Sequence, residues 1–317
     1  MSTTFSFTSS GVTCAATHFP AVDAAGSAPV VVLAHGLAGT QDAGLAPFAE
    51  AFAAAGLHAV TFDYRGFGAS GVAPGQPRQA VSIDGQVADL NAAVDAARRL
   101  PGVDPTRVVL WGVSLGGGHV IQVAAERKDV VAVISAVPLV DGLAAARLAT
   151  KHHSPGQLLA STARGVASAV RRRAGRAPSM IPVVAKPGEV GALTLPGAYE
   201  DYLAIAGPTW RNEIAADVVM ELGGRDPTKA AKRLADRPDV SWLVQIADFD
   251  RSAPTHATAK AAFAGRAEVR HYPGDHFDLF PGKAFHDAAV RHALLFLQRT
   301  LALGGQREQL DAVAEGV

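Results

Sequence analysis

Residues 107–118 read Arg-Val-Val-Leu-Trp-Gly-Val-Ser-Leu-Gly-Gly-Gly, an apolar run that ends in Gly112-Val-Ser114-Leu-Gly116. Arg107 to Trp111 has the length and branched content of a buried strand. Gly117 to Glu126, behind it, has the character of a helix. A serine between the two must sit on a turn tight enough to lift its hydroxyl clear of the sheet. Gly112 and Gly116 leave space where side chains would collide. The pattern predicts Ser114 as a nucleophile.

A nucleophilic serine needs a base, and the base needs an orienting acid. Eleven histidines compete for the first role. Tyr272-Pro-Gly-Asp-His276 is the best setting among them. A strand-like segment, 267–272, is broken by Pro273 and Gly274, which puts His276 on a loop at its end. Upstream, the buried run Ser241 to Ala247 opens into Asp248-Phe-Asp250-Arg-Ser-Ala-Pro254. An acid on that loop gives the order serine, aspartate, histidine, the order of α/β-hydrolases.

Outward from these loops the chain alternates strand and helix. Strands are expected within 5–19 and at 29–34, 58–62, 106–111, 130–137, 241–247 and 267–272. Helices are expected at 43–55, 84–100, 116–126, 254–264 and 283–301. Short apolar strands separated by helices predict a mostly parallel sheet covered on both faces, an α/β fold.

On these residues the chain resembles the α/β-hydrolase superfamily along nearly its whole length. His35-Gly-Leu-Ala-Gly39, after the apolar run Val30 to Leu33, resembles the family's oxyanion loop. Asp63-Tyr-Arg-Gly-Phe-Gly-Ala-Ser70 resembles the loop after the next strand. Pro208-Thr-Trp-Arg-Asn212 and His276-Phe-Asp-Leu-Phe280 resemble a bacterial branch of esterase-like, dipeptidyl-peptidase-like and dienelactone-hydrolase-like proteins. Dienelactone hydrolases use cysteine as nucleophile, and here the position is Ser114. The resemblance implies Asp250 as the acid: Ala247 stands where the family has glycine, and Pro254 lies four residues after Asp250. Asp248 and Asp141 are the alternatives. It also implies backbone N–H groups of Leu37 and Leu115 as the oxyanion hole. His35, Asp63 and Arg65 are expected to brace their loops. The roughly hundred residues 139–239 are too long for a plain connection, and by resemblance they form a helical cap. The expected division is a core domain of 1–138 and 240–303, a cap of 139–239, and a polar tail of 304–317.

Composition bounds the rest. Twenty-nine basic and 29 acidic residues cancel, so no net field over the whole chain draws nucleic acid or acidic membranes. The longest apolar stretch, Val130 to Val140, falls short of the roughly 20 residues of a membrane span. One cysteine, Cys14, forbids an internal disulfide and is read as a packing residue. With no secretory signal visible, a cytoplasmic location is expected. His152 and His153 are adjacent but lack further ligands, so neither metal nor cofactor is expected. Oligomeric state stays open, a homodimer among the options. From Gly142 to Gly188 there is no acid, while Arg147, Lys151, Arg164, Arg171, Arg172, Arg173, Arg176 and Lys186 are basic. That segment reads as a solvated helix face, a recruiter of anionic substrate, or a membrane or partner contact.

The expected function is a serine hydrolase that cleaves a carboxylic ester or thioester of a small-molecule acyl substrate through an acyl-enzyme on Ser114. Peptide cleavage, carbon–carbon hydrolysis and acyl transfer are the alternatives with the same residues. A non-catalytic binding protein comes last.

Overall fold

The computed structural model describes residues 1–24, 26–224 and 226–301; the polar tail expected at 304–317 lies outside them. The chain opens with a hairpin, β1 (Thr3–Ser9) and β2 (Val12–Phe19), turned by Ser10 and Gly11. Both turn residues have positive φ, 46° and 80°, as a two-residue turn of matching twist requires. Then follow β3 (Ala28–Ala34), α1 (Ala46–Ala54), β4 (His58–Phe62), α2 (Ile83–Ala97), β5 (Val103–Val113), α3 (Leu115–Ala124) and β6 (Val130–Ala136). An insertion carries α4 (Gly142–Ala149), α5 (Pro155–Arg173), β7 (Met180–Ile181), α6 (Ala198–Ile205), β8 (Ile214–Ala215), α7 (Val218–Gly223) and α8 (Thr228–Leu234). The chain returns through β9 (Ser241–Ala247), α9 (Thr255–Ala264), β10 (Glu268–Tyr272), a 3-10 turn (His276–Leu279) and α10 (His286–Leu301).

Eight strands form one sheet in the order β1-β2-β4-β3-β5-β6-β9-β10. β2 is antiparallel to both neighbours, and every pair from β4 to β10 is parallel. This is the α/β-hydrolase topology. The central strands are buried on both faces, which is why Val30 to Leu33 and Val108 to Trp111 are unbroken apolar runs rather than alternating ones. Parallel pairing also puts the carboxyl ends of β3, β5, β6, β9 and β10 on one edge, and their loops converge there.

Element ends differ in detail from the sequence expectation. α2 starts at Ile83, capped by the Ser82 side chain on Gly85 N, and stops at Ala97. Leu100 to Gly102 then form a turn with Gly102 at φ 78°. The expected helix 283–301 begins only at His286, after the 3-10 turn. Between β6 and β9 the insertion is helical, as expected of a cap, but its last helix differs from the others. α8 packs on α3 and α9, in the layer that covers the sheet. Among the described residues no helix is long and apolar enough to cross a membrane.

Candidate active site

Ser114 stands between β5 and α3 with φ 56° and ψ −119°, a backbone that L-residues rarely adopt. Its amide donates to Ala136 O at 2.9 Å, and its carbonyl accepts from Leu139 N at 2.9 Å, so β6 and the start of the insertion hold the turn open. The glycines are compulsory. A Cβ on Gly112 would lie 2.4 Å from Gly116 O, and one on Gly116 would lie 2.4 Å from His35 O.

His276 is buried on the loop after β10. Its Nδ1 and Asp250 Oδ2 are 2.7 Å apart. Asp250 Oδ1 accepts from the amides of Ser252 and Ala253, each at 2.7 Å, so the carboxylate is fixed from both sides. Burial alone lowers the imidazole pKa. Attraction by Asp250, the hydrogen bond to it and the charge of Asp275 outweigh burial, and the pKa stands above its ordinary value. Asp248 turns away and pairs with His271 near the surface at 2.6 Å. Asp141 caps α4 through Ala144 N. Of the three candidate acids, Asp250 alone is joined to His276.

The Leu115 N–H is at the first position of α3, where a helix has no internal partner for it. The Gly36–Leu37 peptide is held through its carbonyl. Gly36 O lies 3.0 Å from His35 Nδ1 and accepts from Gly39 N at 3.2 Å. In a trans peptide this sends the Leu37 N–H the opposite way. His35 thus braces the loop. Asp63 does the same for its neighbours, accepting from the amides of Gln41 and Ala69, and Arg65 is locked onto Asp89. His119 packs under α3 against Gln86 at 2.9 Å. Cys14 is buried, and burial first, with the nearby Asp89 charge, pushes its thiol up to about 12. Among the described residues no cluster of three or more His, Cys, Asp or Glu could hold a metal.

Ser114, His276 and Leu37 line a cavity of about 220 Å³ under the insertion. Its walls are apolar or small: Leu139, Ala145, Ala149, Ile181, Leu193, Val218 and Leu222. Polar side chains in the lining are Thr194, His153, Ser161, Arg251 and Ser252, besides Ser114 and His276. Such a lining suits a small apolar molecule.

Two features went unseen in the sequence. Asp275 accepts from Arg251 N, Arg251 Nε and His276 N, tying the acid's loop to the base's loop. An acid directly before the histidine was its only signal. Tyr202 on α6 is the second. Its phenol is buried, and burial pushes its pKa well up, so it stays a donor. It donates to Leu37 O at 2.6 Å. Its ring stacks on Trp210 at 5.0 Å and meets Phe277 edge-on at 5.8 Å. The insertion therefore touches both the oxyanion loop and the base's loop through one side chain. Nothing local in the sequence announces a partner 165 residues away.

Comparison with known proteins agrees with the fold. A family model described as serine aminopeptidase, S33, matches residues 26–179. The quorum-quenching protein AidA of Acinetobacter baumannii (strain MDR-ZJ06) is 35% identical over 297 residues, covering 92% of this chain and 93% of its own. The thiohydrolase aneE of Aspergillus aculeatus is 37% identical over 113 residues, 36% of this chain and 35% of its own. Among solved structures, the α/β-hydrolase GrgF from Penicillium sp. sh18 superimposes with a TM-score of 0.77 at 23% identity, covering 96% of this chain and all of that one.

Proposed function

Because the chain belongs to the α/β-hydrolase superfamily and is a serine hydrolase, we propose that it cleaves carboxylic esters or thioesters with an apolar acyl group, through an acyl-enzyme on Ser114. The observation that carries the reading is the buried Asp250–His276 pair at 2.7 Å, facing the same apolar cavity as Ser114. Ser114 Oγ attacks the carbonyl carbon while His276 Nε2 takes its proton. The same nitrogen then returns the proton to the leaving alcohol or thiol. Asp250 keeps Nδ1 protonated and balances the imidazolium. The negative oxygen of the tetrahedral intermediate is met by the N–H groups of Leu115 and Leu37, fixed in advance by α3 and by the braced loop. Water then repeats the attack on the acyl-enzyme and releases the acid.

Esters and thioesters are favoured over peptides by what the insertion lacks at the cavity. An aminopeptidase needs acids to hold a free amine. Asp201 is committed to Lys283 at 2.5 Å, and Glu200 is exposed. Neither lines the cavity. The names quorum-quenching protein and thiohydrolase, carried by two relatives, put quorum signals and thioesters among the first substrates to test.

The test is a panel of p-nitrophenyl esters of rising acyl length, acyl-CoA thioesters and aminoacyl p-nitroanilides. Turnover of esters or thioesters, rising with acyl length until the chain fills the cavity, is expected. Ser114→Ala should lower it by roughly 10⁴–10⁶. Faster cleavage of the anilides points to a peptidase, and silence on every class to a binding protein.

A further inference from the structure

α5 presents a second surface that the reaction does not use. The helix is 19 residues long, about 28 Å, yet only Gly165 and Ser168 on it are buried. It sits on α7 at Gly165, where a Cβ would come 2.3 Å from Val219 Cγ1. Ser168 fixes the same side, accepting from Ser179 N at 3.1 Å, and Arg172 pairs there with Asp217 at 2.9 Å. The opposite side carries Leu159, Ala163, Val166 and Val170, spaced by four, three and four residues. These fall in one stripe of a 3.6-residue helix. That stripe faces solvent, with Leu159 72%, Val170 59% and Val166 45% exposed. Arg171 flanks it on one side and Arg173 on the other. Leu143 of α4 and Met220 of α7 are also exposed, and both helices pack beside α5's support.

An apolar stripe between arginines, on a segment with no acid from Gly142 to Gly188, complements a surface that is apolar beneath and anionic above. A second copy would set arginine against arginine. We propose that α5 is an interfacial helix that adsorbs the protein on anionic lipid bilayers. The stripe enters the boundary between headgroups and acyl chains, and the flanking arginines meet the headgroup phosphates. Binding is by the outer face of the insertion and needs no catalysis.

Sedimentation of the full chain with vesicles tests this, using Ser114→Ala as the carrier so that the outcome is independent of hydrolysis. Vesicles of pure phosphatidylcholine and of its equimolar mix with phosphatidylglycerol are compared. Binding to the mixed vesicles alone is expected, weakening from 0.1 M to 1 M salt as screening shortens. Arg171→Gln with Arg173→Gln should cost about twenty-five-fold in partitioning, roughly fivefold per arginine. Leu159→Ser, Val166→Ser and Val170→Ser together should abolish it, with little change in the melting curve because all three side chains are exposed and none belongs to the core. Absence of binding to the mixed vesicles overturns the proposal, as does binding that both variants retain. A dimer in solution that the triple serine variant dissolves overturns it too, and assigns the face to a second copy.

Discussion

The carboxyl edge of the sheet and the insertion above it are built on different principles. At the edge, each reactive group is placed by backbone geometry. Ser114 is held by a positive-φ turn between two glycines, Asp250 by two amides, and Leu37 by a peptide whose carbonyl is doubly bonded. The insertion is placed by scattered side-chain contacts. Tyr202 reaches Leu37 O, Thr209 N reaches Asp42 Oδ2, Lys283 holds Asp201, and Arg251 donates to Pro196 O. All four lie on the α6 side. The α4–α5 side leans on α7. On the proposed mechanism the reacting groups belong to the edge, the α6 seam only supports the Leu37 loop and the outer helices contribute cavity wall, so the effects of substitution on the reaction should fall off in that order.

The largest effects belong at the edge. Asp250→Asn should lower kcat/KM by about 10⁴, the scale of losing the group that orients a catalytic imidazole. Asp248→Asn, two residues away, should stay within a few-fold, because it breaks only a half-exposed pair with His271. Steady-state kinetics of the two variants checks this, and an inverted order would show the acid misassigned. The pH profile sharpens the same point. His276 must be neutral to act as base, and its pKa is raised, so kcat/KM should climb with pH through an apparent pKa above the ordinary 6.5. In Asp250→Asn only burial and Asp275 remain to act on the imidazole. The limb should then move to lower pH, and a limb that stays in place would break the link between the two residues.

At the seam the effect should be about tenfold. Tyr202→Phe keeps the ring stack and removes the hydroxyl that holds the Leu37 carbonyl. We expect a loss in kcat with KM unchanged, less than the 10²–10³ of deleting an oxyanion donor itself. Phosphonylation of Ser114 should slow in parallel, since it builds the same charged oxygen. A change in KM alone would make Tyr202 a wall of the acyl cavity instead.

The smallest effect is remote from both regions. His18 Nε2 and His58 Nδ1 meet at 2.9 Å between β2 and β4, and His58 Nε2 donates to Gly102 O at 2.9 Å. Burial lowers both pKa values; the charge of His58 lowers that of His18 further, and the hydrogen bond to Gly102 O only partly offsets burial at His58. The unfolded chain, with histidines near 6.5, then binds more protons than the folded one. This pair's contribution to stability is present above that pH and is lost as pH falls through it. His18→Gln retains a donor to His58 but does not titrate. Melting temperatures from pH 7.5 down to 5.5 should therefore decline less in this variant than in the native chain. Equal slopes would remove the pair from the account.

Legibility followed the same divide. Parallel strands buried on both faces are written as continuous apolar runs, and a strained serine turn needs its glycines in sequence, so the sheet and the turn at Ser114 were readable directly. Asp250 needed the family's proline spacing, because Asp248 looks equivalent until the fold turns one inward and the other to His271. The insertion resisted reading for a physical reason. Its strands are two residues long, its helices α4, α6, α7 and α8 have eight residues or fewer, and the one long helix, α5, carries its apolar stripe on the outside, so periodicity does not point to the site. Its decisive contact, Tyr202 with Leu37, joins positions that share no local pattern. Pro208 to Asn212, known only as a family motif, proves to be a bracket: Trp210 stacks on Tyr202, and Asn212 exchanges two hydrogen bonds with Val184.

Every step of the proposed reaction depends on Ser114 being the nucleophile that His276 activates. Labelling with a fluorophosphonate, followed by peptide mass spectrometry, tests it most directly. The account predicts one adduct, on Ser114, forming at a rate that rises with pH along the same limb as kcat/KM and vanishing in Ser114→Ala. An adduct on any other serine, or labelling that survives Ser114→Ala, would contradict it.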